Sequence, residues 1–314
     1  MDILAPIAAR RFTATRARRG TYSIVARDPD TGELGVAVQS HWFSVGPIVP
    51  WARAGVGAVA TQANAELSYG PRALDLMAQG VPAPEALAQL LAEDALRESR
   101  QVAVIDGAGR VAAHTGDACI PDAGDCQGPS VSCQANIMAN ERVWPAMLDA
   151  FQRHTGALTA RLLAALDAAE AQGGDLRGRQ SAAIVVVPAE GDPWDTVISL
   201  RVEDHPDPLR ELARLVRLHD AYIQAGAGDE RLAAGEHEAA AALYLRASEM
   251  APESEELRFW AGIGAAMMGD MNTALTLARA VIAIQPAWLE LLARLPADDV
   301  PAAGVLRDAL RHGG

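Results

Sequence analysis

The chain changes character once, at His205-Pro206-Asp207-Pro208, and this change limits it to two kinds of folding unit. Before that point, short strand-like runs are separated by turn formers. After it there is amphipathic helix alone. A stretch with two prolines suits the break, because proline lacks the N–H that both helices and sheets need. The expected organisation is an extension over residues 1–20, a mixed domain over 21–205 and a helical domain over 208–314.

In the first part, Tyr22 to Arg27 and Leu34 to Gln39 read as strands joined by Asp28-Pro29-Asp30-Thr31-Gly32-Glu33, which is dense in turn residues. Gly57 to Thr61 reads as a third strand. Pro71 to Ala78 and Ala83 to Ala92 read as helices. Gln101 to Ile105 and Arg110 to His114 form a hairpin around Asp106-Gly107-Ala108-Gly109. Val143 to Gln172 is mostly helical with a break near Gly156, and Ala182 to Val187 with Thr196 to Val202 closes the set. Strands, then helices, then strands, with short links, define an α+β class of antiparallel sheets with helices packed outside.

The second part carries an internal repeat. Gly228, Gly235, Ala240, Tyr244, Ala247 and Pro252 recur 34 residues on as Gly262, Gly269, Ala274, Ala278, Val281 and Pro286. Small residues let antiparallel helices approach closely, and a proline ends the second helix of each pair. The pattern resembles the tetratricopeptide repeat. That resemblance implies a protein partner; a helical appendage that supports a homo-oligomer is the alternative.

Composition narrows the function. Of 314 residues, 50% are apolar, enough for a sizeable core, and the formal net charge of −13 opposes a nucleic-acid partner. A basic cluster at Arg10, Arg11, Arg16, Arg18 and Arg19 reads as a tail. No stretch approaches the roughly 20 apolar residues of a membrane span, so no membrane partner is expected. The start of the chain lacks the charge order of a secretory signal, which points to the cytoplasm. Cys119, Cys126 and Cys133 suit a reducing compartment. Together with His114 and Asp125 they invite a metal reading, but their spacing matches no common zinc pattern. No metal and no cofactor are expected. The stretch Gly116 to Ser132, rich in Gly, Pro and Asp, reads as an irregular loop over a pocket.

The chemistry concentrates at Gly20-Thr21-Tyr22-Ser23. A threonine follows a glycine and opens a strand. If the bond between them were cut, Thr21 would hold both a hydroxyl nucleophile and a free amine, whose ordinary pKa of about 7.7–8.0 suits a base near neutral pH. The bland alternative is a polar strand-opening residue. The segments Thr21 to Asp28, Gly32 to Gly46, Val49 to Asn64 and Tyr69-Gly70-Pro71 together resemble the bacterial domain-of-unknown-function family 1028, over about residues 21 to 203. The family's fold is similar to that of the N-terminal nucleophile hydrolases. The resemblance implies a four-layer α/β/β/α sandwich of antiparallel sheets with the first strand central, and Thr21 as nucleophile. Relatives often place this threonine directly after the initiator methionine, whereas here twenty residues precede it. Cleavage at Gly20 would restore the pattern.

Enzymes of that kind often hold a lysine beside the nucleophile. This chain has no lysine, so that role is absent or falls to Arg27, Arg53 or His41. His41 otherwise reads as a structural histidine. Asn64 and Asn136, in the repeated tripeptide Gln-Ala-Asn, are candidate oxyanion donors or loop caps. Ser23 shares a strand face with Thr21 and could orient its hydroxyl; Asp28 is a turn residue. Two functions stay open. One is a hydrolase of a small amide whose substrate is not identified by the sequence. The other is a binding protein that uses the sandwich for a metabolite and the helices for a protein.

Overall fold

Thr21–Arg27 opens on alternating polar and apolar residues and continues with Ile24-Val25-Ala26, and in the computed structural model, which describes residues 20–296 and 300–312, it is strand β1. The expected extension over residues 1–20 and its arginine cluster lie outside the described residues, apart from Gly20. The further strands of this part are β2 (Leu34–Ser40), β3 (Pro50–Arg53), β4 (Gly57–Ala63), β5 (Arg100–Asp106), β6 (Val111–Thr115), β7 (Gly124–Gly128), β8 (Val131–Asn136), β9 (Ser181–Val187) and β10 (Ile198–Val202). They form a six-stranded sheet, β10-β9-β2-β1-β8-β7, and a four-stranded sheet, β3-β4-β5-β6. Every pairing is antiparallel, with Thr21 opposite Ser40 on one side and Asn136 on the other. β1 is therefore an interior strand, paired along both edges.

Period-two alternation sends each strand's residues to two different cores. Val25, Val36 and Val38 of the first sheet meet Ala58, Ala60, Ala103 and Ile105 of the second in one buried cluster. Val59, Val102 and Val104 face the other way. They pack under helices α1 (Tyr69–Ala78) and α2 (Ala83–Glu93), against Leu74, Leu87 and Leu90. Helices α3 (Val143–Arg153) and α4 (Leu158–Ala171) lie on the outer face of the first sheet, where the Tyr22 hydroxyl donates to Glu170 Oε2 at 2.8 Å. The result is the α+β, four-layer α/β/β/α arrangement, followed by an all-helical region.

The sequence reading differs from this in two places. β3 and β8 were not expected. Gly116 to Ser132 is not an irregular loop throughout, because it contains β7 and the turn into β8. β7 reads Gly-Asp-Cys-Gln-Gly, a composition poor in strand formers. It becomes a strand by pairing along β8, with Cys126 opposite Cys133. The expected break near Gly156 is real: that residue has φ of 103°, and it separates α3 from α4.

Asp106 ties three of these elements together. Its carboxylate accepts from the N–H of Ala83, the first residue of α2, and from the N–H groups of Ala108 and Arg110 in the β5–β6 turn. Arg110 Nε adds a fourth bond at 2.8 Å. Burial opposes ionisation, but these donors outweigh it and hold the carboxyl below its usual range. Asp106→Ala should cost about 2 kcal/mol, through a lost cap and unpaired buried N–H groups. Because the folded pKa is depressed, that stability is present above about pH 3.9 and disappears as pH falls through the folded value. Urea denaturation of both proteins at pH 7 and pH 3 checks this. A difference that grows on acidification would contradict it.

The chain divides into two compact units, one running to Ala213 and the other from Arg214. The division falls inside α5 (Pro208–Ala233) rather than at the prolines before it. Leu209 and Leu212, in the first turns of α5, are buried and belong to the first unit. The second unit continues with α6 (His237–Met250), α7 (Glu255–Met267), α8 (Met271–Ile284), α9 (Ala287–Arg294) and α10 (Pro301–His312). Residues 34 apart have matching places here. Gly235 and Gly269 both follow a helix with φ near 75–78°. Ala240 and Ala274 are both fully buried. Pro252 and Pro286 each lie two residues beyond a helix end.

Candidate functional site

Thr21 opens β1 with its side chain on the face turned toward the second sheet, and it is only 2% exposed. Its Oγ1 lies 3.0 Å from Ser40 Oγ. Ser40 Oγ has one proton and donates it to the carbonyl oxygen of Gly20 at 2.5 Å. Thr21 must therefore be the donor in its own bond with Ser40. The hydroxyls form a directed chain, Thr21 to Ser40 to Gly20 O, in which the Thr21 oxygen accepts no bond from the described residues. Arg177 Nη2 also donates to Gly20 O, at 2.9 Å.

Arg177 is positioned by Asp175. The Asp175 side chain is fully buried, and its two oxygens accept from Arg177 Nε, Arg177 Nη2, the Arg177 N–H and the His41 N–H, at 2.8–3.1 Å. The same carboxylate presses on Gly20: a Cβ on that residue would sit 2.6 Å from Asp175 Oδ2. Only glycine fits there.

Behind Thr21 runs a buried amide network between the sheets. Ser23 Oγ donates to Gln62 Oε1 and accepts from Gln134 Nε2, each at 2.6 Å. Gln62 Nε2 reaches Gln101 Oε1 at 2.8 Å and the Thr21 carbonyl at 3.3 Å. Asn136 Nδ2 donates to Gln101 Oε1 at 2.9 Å. Gln101 Nε2 donates to Thr115 Oγ1, Gly124 O and Ala135 O. Thr115 in turn donates to Asp125 Oδ2 at 2.7 Å and lines a cleft of about 350 Å³, together with Asp117, Cys119, Asp122 and Glu141. A second cleft lies in the helical unit near Gly235 and His237. Thr21 lines neither cleft.

The other residues singled out from sequence are placed as follows. Ser23 is on the Thr21 face, but its hydroxyl is committed to Gln62 and Gln134. Asn136 is the cross-strand neighbour of Thr21, with its amide turned to Gln101. His41 joins the cluster through its backbone, while its ring Nδ1 has no partner among the described residues. Asn64 is turned away: its side-chain amide donates to Ser99 Oγ and its backbone carbonyl accepts from Arg100 Nη1. Arg53 pairs with Asp75 beside α1. Asp28 is a turn residue, accepting from the N–H groups of Asp30 and Thr31 and pairing with Arg161.

Ser40, Asp175, Arg177 and the glutamines were missed. Ser40 sits next to His41 in the same motif. Each Gln-Ala-Asn tripeptide also offered its glutamine. Asp175 and Arg177 lie in Gly173-Gly174-Asp175-Leu176-Arg177-Gly178, where the glycine density marks a backbone that folds back on itself.

The three cysteines are free thiols. Burial pushes the Cys119 thiol up to about 11 and raises that of Cys133 well above its ordinary value, whereas a hydrogen bond from Cys133 lowers that of Cys126. Among the described residues no group of three or more His, Cys, Asp or Glu is placed to hold a metal ion. Among the same residues no helix is long and apolar enough to cross a membrane.

The fold and this strand-end cluster define a two-sheet α/β/β/α sandwich protein with a buried hydroxyl relay at its first strand. The chain belongs to DUF1028, a family of unknown function whose model matches residues 21–212. It is similar to a crystallographically determined family member from Silicibacter pomeroyi, with 32% identity and a TM-score of 0.58, covering 63% of this chain and 85% of that one. A more distant likeness is to Anbu, an ancestral β-subunit from Yersinia bercovieri, at 14% identity and a TM-score of 0.32, covering 59% and 88% of the two chains. No curated protein matches this chain.

Proposed function

We propose that this protein is an N-terminal nucleophile amidohydrolase acting on a small amide, with Thr21 as the nucleophile once the Gly20–Thr21 bond is cut. The observation that carries this reading is the relay from the Thr21 hydroxyl through Ser40 to the Gly20 carbonyl, with Arg177 on the same oxygen. In the uncut chain the Thr21 nitrogen is an amide and no base. The relay offers another route. As Thr21 Oγ1 bonds to the Gly20 carbon, its proton passes to Ser40 Oγ, and the Ser40 proton passes to the carbonyl oxygen. Arg177 donates to that oxygen and stabilises the negative charge that builds on it before the proton arrives. Breaking the C–N bond leaves an ester on Thr21 and a proton on its nitrogen. Water then releases residues 1–20 as a carboxylic acid. The freed amine serves as base for later turnovers. The choice of an amide substrate rests on the family resemblance.

Intact-mass measurement of the purified full chain tests the reading. The wild-type protein should begin at Thr21, and Thr21→Ala should keep the preceding segment, with processing slowed by about 10³-fold or more. A wild-type chain that stays uncut on prolonged incubation, or a Thr21→Ala chain cut equally fast, would overturn it. One observation favours the binding-protein alternative: Thr21 is buried and lines neither cleft. In an uncut chain the same hydrogen bonds simply pin the start of β1.

A further inference from the structure

The space that Gly20 occupies has a shape of its own, and it bears on what the cut protein could accept. Two donors converge on the Gly20 carbonyl oxygen, Ser40 Oγ at 2.5 Å and Arg177 Nη2 at 2.9 Å. On the neighbouring α-carbon the space is closed. A Cβ there would lie 2.6 Å from Asp175 Oδ2, 2.7 Å from Oδ1 and 2.8 Å from Cγ. A flexible side chain could swing aside from such an overlap, but Asp175 cannot. It is short and fully buried, and it is clamped by Arg177 Nε, Arg177 Nη2 and the N–H groups of Arg177 and His41. Moving it would strip a buried carboxylate of its partners.

We propose that the cradle formed by Ser40, Arg177 and Asp175 is the acyl subsite of the mature protein, and that it selects glycyl amides over amides of any acyl group with a substituted α-carbon. This inference rests on Thr21 being the nucleophile after cleavage. The departing glycine leaves a site complementary to a carbonyl attached to a CH₂ group, directly in front of the Thr21 hydroxyl. Arg177 and Ser40 would polarise the substrate carbonyl and hold the oxyanion. In the step itself, the Thr21 Oγ1 proton goes to the Thr21 α-amine and Oγ1 bonds to the glycyl carbonyl carbon. The C–N bond then breaks, and the leaving amine takes the proton. Water hydrolyses the glycyl ester, giving the free acid and restoring the hydroxyl. Asp175 performs two tasks: it fixes the Arg177 guanidinium, and its carboxylate forms the wall that excludes a Cβ.

The test uses the full chain, with its N-terminus read by intact mass before assay. The probes are the N-acetylglycyl and N-acetyl-L-alanyl amides of aminomethylcoumarin. Protein that begins at Thr21 should hydrolyse the glycyl amide with a kcat/KM about 100-fold above that for the alanyl amide. It should also carry a transient acetylglycyl adduct on Thr21. Arg177→Lys keeps a cation but loses the fork, and should lower kcat/KM for the glycyl amide by about 10²-fold. If that variant does not fold, the wild-type ratio decides alone. Equal rates on the two amides, or turnover of neither by protein that begins at Thr21, would overturn the subsite while leaving the nucleophile reading intact. A chain that never begins at Thr21 would overturn both.

Discussion

Gln101→Leu is expected to lower the stability of the first unit by about 3–5 kcal/mol, because one side chain bonds to five groups, three of them through buried hydrogen bonds. Its Nε2 serves Thr115 Oγ1, Gly124 O and Ala135 O, and its Oε1 receives Gln62 Nε2 and Asn136 Nδ2. Leucine has a similar volume, so lost packing contributes little. In a unit of this size the loss should bring the melting temperature down by roughly 10 °C. Gln39→Met is the matched control. Gln39 is also fully buried, but neither of its side-chain amide atoms has a hydrogen-bond partner among the described residues. Removing an unpaired polar group from an interior is neutral or favourable, by up to about 2 kcal/mol. Thermal and urea denaturation should therefore show Gln101→Leu destabilised and Gln39→Met not destabilised. A Gln101→Leu protein within 1 kcal/mol of wild type would show that the network contributes little.

Asp175→Ala should be comparably damaging, by about 3 kcal/mol or more. The substitution takes the buried carboxylate from Arg177, which is itself only 25% exposed, and the acceptor from the His41 N–H. It should also release the Gly20 carbonyl from Arg177, because the guanidinium loses the partner that aims it. Two readouts separate these effects. Urea denaturation reports the stability loss, and intact mass reports whether the segment before Thr21 is retained. A variant as stable as wild type would mean that Arg177 is held by other groups. Gly20→Ala probes the same contact from the other side, and should disturb the cluster without removing any hydrogen-bonding group.

Much of the fold was legible because strand alternation and turn chemistry are local. Tyr22 to Arg27, Leu34 to Gln39 and the β5–β6 hairpin were read from short runs bounded by turn residues, and the structure places them within a residue or two. β7 was not legible, since Gly-Asp-Cys-Gln-Gly becomes a strand only where β8 offers it a partner. β3 begins at a proline and is four residues long, too short for alternation to be seen.

The two Gln-Ala-Asn tripeptides show where sequence reasoning ends. In β8 the chain stays extended through Asn136, so Gln134 and Asn136 share the inner face and join one network. In β4 the middle residue, Ala63, has φ of 63°, which breaks the alternation and sends Asn64 to Ser99 and Arg100. The same three residues thus serve different ends, and nothing in the tripeptide itself distinguishes them.

What the sequence by itself determined is the set of local facts. These are a threonine at the head of a strand directly behind a glycine, a chain without lysine, antiparallel sheets with helices outside, and a helical second unit with a 34-residue period. What only the tertiary structure decided is the company Thr21 keeps. Ser40, Asp175 and Arg177 are up to 156 residues away along the chain, as the separation 177 − 21 shows. They reach Gly20 and Thr21 because β2 pairs beside β1 and the glycine-rich segment after α4 folds back over the strand ends. Periodicity reports which way a side chain faces, but hydrogen bonds between distant residues depend on strand register and on the direction of each donor. Those quantities exist only once the sheets are assembled.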